Sequence, residues 1–319
     1  MKKANWLQSE CGGLYYRGLC ELTKDELVAL VYGQNNIRNV TKQAVKHKTV
    51  RKVAFQLSYD GKLYNGTQES RDGLSVTEVL RNALKKSDLF VDGNEMIFCG
   101  RTDRGVSAEN AVVSLFTKSR LDLEPNDSHE TEYYTFAGIE FKRYLFRDSQ
   151  FEIGKEDYNE IPYTRILNNI LPEHIRIKGW APVPDYFSAR HSCIERCYKY
   201  QYEIGRIRVK DGNLLDKFNH GAEIIRSLDD FYYFSKHDNP KANYNFRISE
   251  LFFNTCGDHI VMEIRSYSFI HNMVRKIFSW IRRYAETGRL DYRDIEPAEA
   301  EHLVFCGATY RHKLAYISG

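Results

Sequence analysis

From Arg51 onward the chain switches between two hydrophobic periods, and the order of the switches occurs twice. "VAFQLSY" alternates Val53, Phe55, Leu57 and Tyr59 against Ala54, Gln56 and Ser58, the period of two that a strand requires. "VTEVLRNALKKSDLF" then sets Val76, Val79, Leu80, Ala83 and Leu84 at helical spacing, with Ser75 available as N-cap. "EMIFCG" and "NAVVSLF" are short apolar runs of strand length; "YTRILNNIL" reads as a helix stopped at Pro172, and "IRIKGWAPV" as a strand. The order is strand, helix, strand, strand, helix, strand. It begins again with "CYKYQYEI", which alternates Tyr198, Tyr200, Tyr202 and Ile204 with Lys199, Gln201 and Glu203. "SLDDFYYFSK" reads as a short capped helix, and "FRISELFF" and "HIVMEIRS" as strands. "SFIHNMVRKIFSWIRRYAETG" is the longest helical pattern, with Phe269, Met273, Ile277 and Trp280 on one face and Gly288 as its stop.

Two such units predict an α+β fold: two ferredoxin-like halves whose strands join in one broad, mostly antiparallel sheet, with helices packed on one side. The predicted divisions are an extension over 1–50, a first half over 51–188 and a second half over 189–319. The extension combines a Thr23/Glu26 capping box with a basic stretch. An acidic, aromatic insert at about 118–160 interrupts the first half.

The 46 basic and 43 acidic residues leave a net charge of only +3, which by itself announces no nucleic-acid partner. Charge is nevertheless segregated. "TKQAVKHKTVRK" (41–52) holds Lys42, Lys46, Lys48, Arg51 and Lys52 with no acid, and reads equally as a solvated turn or a phosphate-facing surface. Seven cysteines in a chain of 319 residues do not suggest a disulfide framework, and Cys193 and Cys197 have no second pair at metal-ligand spacing, so no metal is expected. No apolar run has membrane-spanning length and "MKKANWLQSE" has no signal core, so the expectation is a soluble intracellular protein of cytoplasm or nucleus, with no membrane partner.

One stretch interrupts the strands with charge: "CGRTDRGVSA" (99–108). Arg101 and Arg104 flank Asp103, and a neighbouring guanidinium keeps a carboxylate ionised. An ionised, positioned aspartate serves as a nucleophile or base. An Arg-x-Asp turn held by its own ion pair accounts for the same residues. No Ser-His-Asp or Cys-His arrangement competes, and the glycines do not fit a phosphate-binding loop. On the residues alone both readings stay open.

"CGRTDRGVSA" closely resembles the catalytic motif of the TruA family of tRNA pseudouridine synthases, whose core reads Arg-Thr-Asp-x-Gly-Val. Three further segments resemble that family in the right order: "YDGKLYNGTQ" (59–68), "FSARHSCIERCYKYQY" (187–202) and "SFIHNMVRKI" (268–277). The resemblance spans roughly 51–310. "LNNILPEHIRIKGWAPVPDYFSARHSCIERCYKY" and "DDFYYFSKHD" are most similar to the eukaryotic enzymes acting at positions 38 and 39 of the tRNA anticodon arm.

The resemblance implies a catalytic Asp103, attacking the target uridine at the base or at ribose C1′, so that uracil is released, rotated and rejoined through C5 without a cofactor. It implies Arg101 in the space left by the extruded nucleotide, Tyr198 against the uracil face, and Arg275 paired with Asp103. Extrusion costs a few kcal/mol, and stacking on an aromatic ring returns about 1–3 kcal/mol. Asp60 is a weaker nucleophile candidate, beside what reads as a structural strand end. The implied partner is tRNA, bound mostly by shape and phosphate contacts, with 41–52 and "FKRYLFR" (Lys142, Arg143, Arg147) as candidate surfaces, and the family's habit implies a homodimer. Two departures bear on local geometry and substrate fit: Thr67 stands at a usually aromatic position, and "KIFSW", with Ser279 and Trp280, replaces small residues. The competing function is a catalytically inactive tRNA-binding or RNA-chaperone protein on the same scaffold.

Overall fold

A computed structural model of the chain describes residues 50–69, 74–121, 131–136, 139–144, 153, 155–209, 213–235, 244–311 and 313–318. Of the predicted extension over 1–50, residues 1–49 lie outside them and Val50 opens the first strand; Arg147 also lies outside.

The first run of elements is β1 (Val50–Tyr59), α1 (Val76–Lys86), β2 (Ile97–Phe98), β3 (Ser107–Lys118), α2 (Tyr163–Ile170) and β6 (Ile175–Pro182). Between β3 and α2, β4 (Thr131–Phe136) and β5 (Ile139–Tyr144) pair only with each other, as a separate hairpin. The second run is β7 (Cys193–Glu203), α3 (Leu214–Arg226), β8 (Ile248–Cys256), β9 (His259–Ser266), α4 (Met273–Thr287) and β10 (Leu303–Tyr310). The main sheet has eight strands in the order β6-β1-β3-β10-β7-β9-β8, with β2 also on β3. Counting strands within each run gives the order 4-1-3-2 twice, the ferredoxin-like arrangement. Among the described residues all strand pairings of this sheet are antiparallel except one, where Val304 and Phe305 of β10 run parallel to Ser107 and Ala108 of β3.

That exception is the seam. Ile97 and Phe98 cover β3 only opposite Ser114 and Val113, so the start of β3 is left for β10 to pair with. The loop over 99–106, which leads from β2 into β3, therefore opens where the two halves of the sheet meet.

Local chemistry explains the elements. Ser75 caps α1 in a complete capping box with Glu78. Gly288 ends α4 in the left-handed conformation, φ 69°. On β7, Tyr198, Tyr200 and Tyr202 are buried against the helices while Lys199, Gln201 and Glu203 face out; Tyr200 stacks on Phe278 of α4 with centroids 4.1 Å apart. Trp280 is fully buried, lies parallel to Tyr284 and Tyr292, and donates from Nε1 to the Asp291 carbonyl at 2.8 Å. The large residue in "KIFSW" is thus accommodated by an aromatic stack.

Two elements differ from expectation. The helix predicted in "SLDDFYYFSK" lies earlier, at Leu214–Arg226, capped by Asn213 and burying Phe218, Ala222 and Ile225; only a 3-10 turn remains at Tyr232–Phe234. The spacing of those three residues is helical, whereas the Phe231 and Phe234 that suggested a helix are buried from a turn. The last helix starts at Met273, since Asn272 adopts φ 62°, and residues 268–272 turn towards the loop over 99–106 instead.

Candidate active site

The loop over 99–106 is fastened at several points. Cys99 N donates to the Val112 carbonyl at 2.8 Å, and Val112 N donates to Cys99 Sγ at 3.3 Å. Thr102, buried, shares a 2.9 Å hydroxyl–hydroxyl hydrogen bond with Tyr59 and donates from its amide to Thr67 Oγ1 at 3.1 Å. Thr67 returns the bond, its amide donating to the Thr102 carbonyl at 3.3 Å. At the usually aromatic position this chain thus carries a buried hydroxyl that locks the backbone one residue before Asp103. Gly66, φ 87°, makes that approach feasible, because a Cβ there would collide with the Thr102 carbonyl. Asp60 caps the turn at Gly61–Leu63, accepting from Lys62 N at 3.0 Å.

Asp103, Tyr198 and Arg275 line one depression, together with Thr102, Val106, Phe269, Asn272, Met273 and Leu303. They arrive from the β2–β3 loop, from β7 and from the first turn of α4. The volume enclosed is about 30 Å³, room for a water or two and not for a nucleobase. Phe269 accounts for much of that closure, since its ring meets Tyr198 edge to face at 5.2 Å, with Phe305 on Tyr198 at 5.0 Å. Arg101 is exposed on the same loop and does not belong to the lining; Arg104 is exposed beside it.

Asp103 Oδ1 lies 3.5 Å from His271 Nε2. The Arg275 guanidinium is engaged by the Ala298 carbonyl, 2.5 Å from Nε, and by Asn272 Oδ1, 3.1 Å from Nη1. Burial, reinforced by the charges of nearby Cys99 and Asp103 and opposed by Arg196, pushes the Tyr198 phenol well above its ordinary range. At neutral pH it is a protonated donor on an apolar ring. Burial likewise pushes the Cys99 thiol up to about 12.

Arg196, two residues before Tyr198 and on the same face of β7, was not among the residues singled out in the sequence. Its Nε donates to the Cys99 carbonyl at 2.8 Å, Nη1 to that of Tyr267 at 2.5 Å and Nη2 to that of Arg190 at 2.8 Å. The signal was available: a cation in phase with three buried tyrosines needs a buried partner. His271 sits inside a quoted motif, yet its pairing with Asp103 depends on the fold. Among the described residues no three His, Cys, Asp or Glu side chains cluster as metal ligands, and no helix is long and apolar enough to cross a membrane.

No protein-family model matches the chain. Curated relatives do. A probable tRNA pseudouridine synthase of Caenorhabditis elegans (tag-124) is 34% identical over 195 residues, covering 59% of this chain and 43% of the relative. The human tRNA pseudouridine(38/39) synthase is 39% identical over 158 residues, covering 47% and 28%. A tRNA pseudouridine synthase A of Thermoanaerobacter sp. (strain X514) is 25% identical over 240 residues, covering 72% and 82%. The chain spans less than half the length of the eukaryotic relatives it matches, between 28% and 46%. The four ordered motifs and the twice-repeated strand order thus accompany similarity to tRNA pseudouridine synthases of both eukaryotes and bacteria.

Proposed function

We propose that this chain is a tRNA pseudouridine synthase, an isomerase that converts uridine to pseudouridine in the anticodon arm at positions 38 and 39. The observation that carries this reading is the convergence of Asp103, Tyr198 and Arg275 on one depression at the seam. A binding scaffold has no use for a carboxylate whose backbone is locked on the preceding residue.

The reaction moves one bond. Asp103 attacks the target nucleotide, the N1–C1′ bond breaks, and the freed uracil turns so that C5 faces C1′. The C5–C1′ bond forms, the bond to Asp103 breaks and returns its carboxylate, C5 loses its proton and N1 ends protonated, so atoms balance without a cofactor. Tyr198 supports the uracil face, which requires Phe269 to swing off its ring. Arg275 contributes positive charge to the lining, and Arg101, exposed beside the depression, enters the gap left in the RNA. The names of the eukaryotic relatives support positions 38 and 39. The substrate is held mainly through phosphates, with Lys42, Lys46 and Lys48 of the basic stretch as one contact, since Arg51 pairs with Asp157 and Glu160 and Lys52 is buried, and with a homodimer as the working assembly.

Incubating the purified chain with uridine-containing tRNA and mapping pseudouridine tests this reading. Product at 38 or 39 is expected. Tight tRNA binding with no product anywhere contradicts it and leaves the silent scaffold.

A further inference from the structure

Three backbone carbonyls from three separate segments converge on the guanidinium of Arg196. Cys99 belongs to the first half of the chain and lies four residues before Asp103. Tyr267 leads into the segment that carries Phe269 and His271. Arg190 closes the turn before β7 and has an exposed side chain. Carbonyl oxygens brought together repel one another, and each needs a donor. Arg196 supplies one from each of its three nitrogens. Gly100 packs over this point, where an added Cβ would lie 3.7 Å from the Tyr198 hydroxyl and 3.8 Å from Arg196 Nε.

We propose that Arg196 is the positioning residue of the site: its guanidinium ties the Asp103 loop to the Phe269–His271 segment across the seam and sets the distance between nucleophile and Tyr198. Arg196 does not line the depression and touches no reacting atom. Its identity matters because three carbonyls in three directions match the planar fork of a guanidinium, whereas an ammonium is a single point of charge. The Phe269 segment, which has to move to admit a base, is held on this cation by a single carbonyl. The clamp thereby fixes one end of the moving piece while leaving the rest free.

This inference rests on the synthase reading, and R196K and R196A separate the two. With wild-type chain forming pseudouridine, R196K is expected to lower kcat by about 100-fold, the scale of an ångström of misplacement, with KM for tRNA near wild type. R196A is expected to behave similarly and to regain activity when methylguanidinium is added at millimolar concentration, which R196K is not. A purely structural role would lower the amount of folded enzyme and leave kcat per active site unchanged, as measured by titration of bound tRNA. If R196A does not fold, the kcat–KM split of R196K decides. R196K with wild-type kcat, or with a loss confined to KM, overturns the clamp. A wild-type chain that makes no pseudouridine overturns the synthase reading and the clamp with it.

Discussion

His271 Nε2 stands 3.5 Å from Asp103 Oδ1, an ion-pair distance that joins the loop entering β3 to the segment entering α4. Both side chains are part-exposed, at 40% and 30%, so water screens the pair in the free chain. Its contribution is therefore expected to be small beside that of the proposed nucleophile, Asp103. H271A should slow single-turnover pseudouridine formation by about fivefold, the kinetic equivalent of roughly 1 kcal/mol, and leave tRNA affinity unchanged. A loss of several thousandfold would mean that His271 carries a proton in the reaction.

Thr67 offers a different test, because its contacts are buried. T67V keeps the shape but removes the oxygen that accepts from Thr102 N. A buried amide left without its partner costs about 1–3 kcal/mol, so T67V should melt earlier and turn over more slowly, and T67S should restore both. Thermal unfolding and kcat for the two variants check this. Equal behaviour of T67V and wild type would show that the hydroxyl does not hold the loop.

Tyr198 combines a ring that packs with a hydroxyl that burial keeps protonated. Y198F retains the edge-to-face contacts with Phe269 and Phe305 and should keep stability and tRNA binding while slowing turnover. Binding by filter retention and single-turnover rates separate the effects. Loss of binding would move Tyr198 from the base to the fold. Because burial holds the phenol protonated, the wild-type rate should show no phenol ionisation below pH 10.

Lys52 gives a stability prediction with a pH signature. Burial pulls its ammonium down to about 8, against the favourable charges of Asp185 and Glu95, and Nζ donates to the Asp185 carbonyl at 2.7 Å. Below pH 8 folded and unfolded chains both carry the proton, and the full burial cost is present. Between pH 8 and about 10.5 the unfolded chain holds a proton that the folded chain has released, so stability rises with pH over that window. Relative to K52M, wild type should gain up to about 3 kcal/mol between pH 7 and 10.5, read from urea unfolding. A gap that does not change with pH would contradict the burial of the charge.

The sheet was legible in the sequence because alternation is local: Val53 to Tyr59 and Tyr198 to Ile204 show their faces without reference to anything else. The position of α3 was not, because Phe231, Tyr232, Tyr233 and Phe234 mimic a buried helix while Phe218, Ala222 and Ile225 are more widely spaced. The late start of the last helix depends on the left-handed φ of Asn272, which composition does not announce. That Asp103, Tyr198 and Arg275 belong together is suggested by motifs, and the three line one depression. The contacts that hold them, Thr67 with Thr102 and Arg196 with three carbonyls, join residues far apart in the chain and have no spacing signature.

The nucleophile is tested most directly by Asp103→Asn, which preserves size and removes the charge. With tRNA tritiated at uridine C5, the wild-type chain should release tritium as the new C5–C1′ bond forms. D103N should bind the same tRNA and release none above background. Undiminished release by D103N would contradict the assignment of Asp103 as nucleophile.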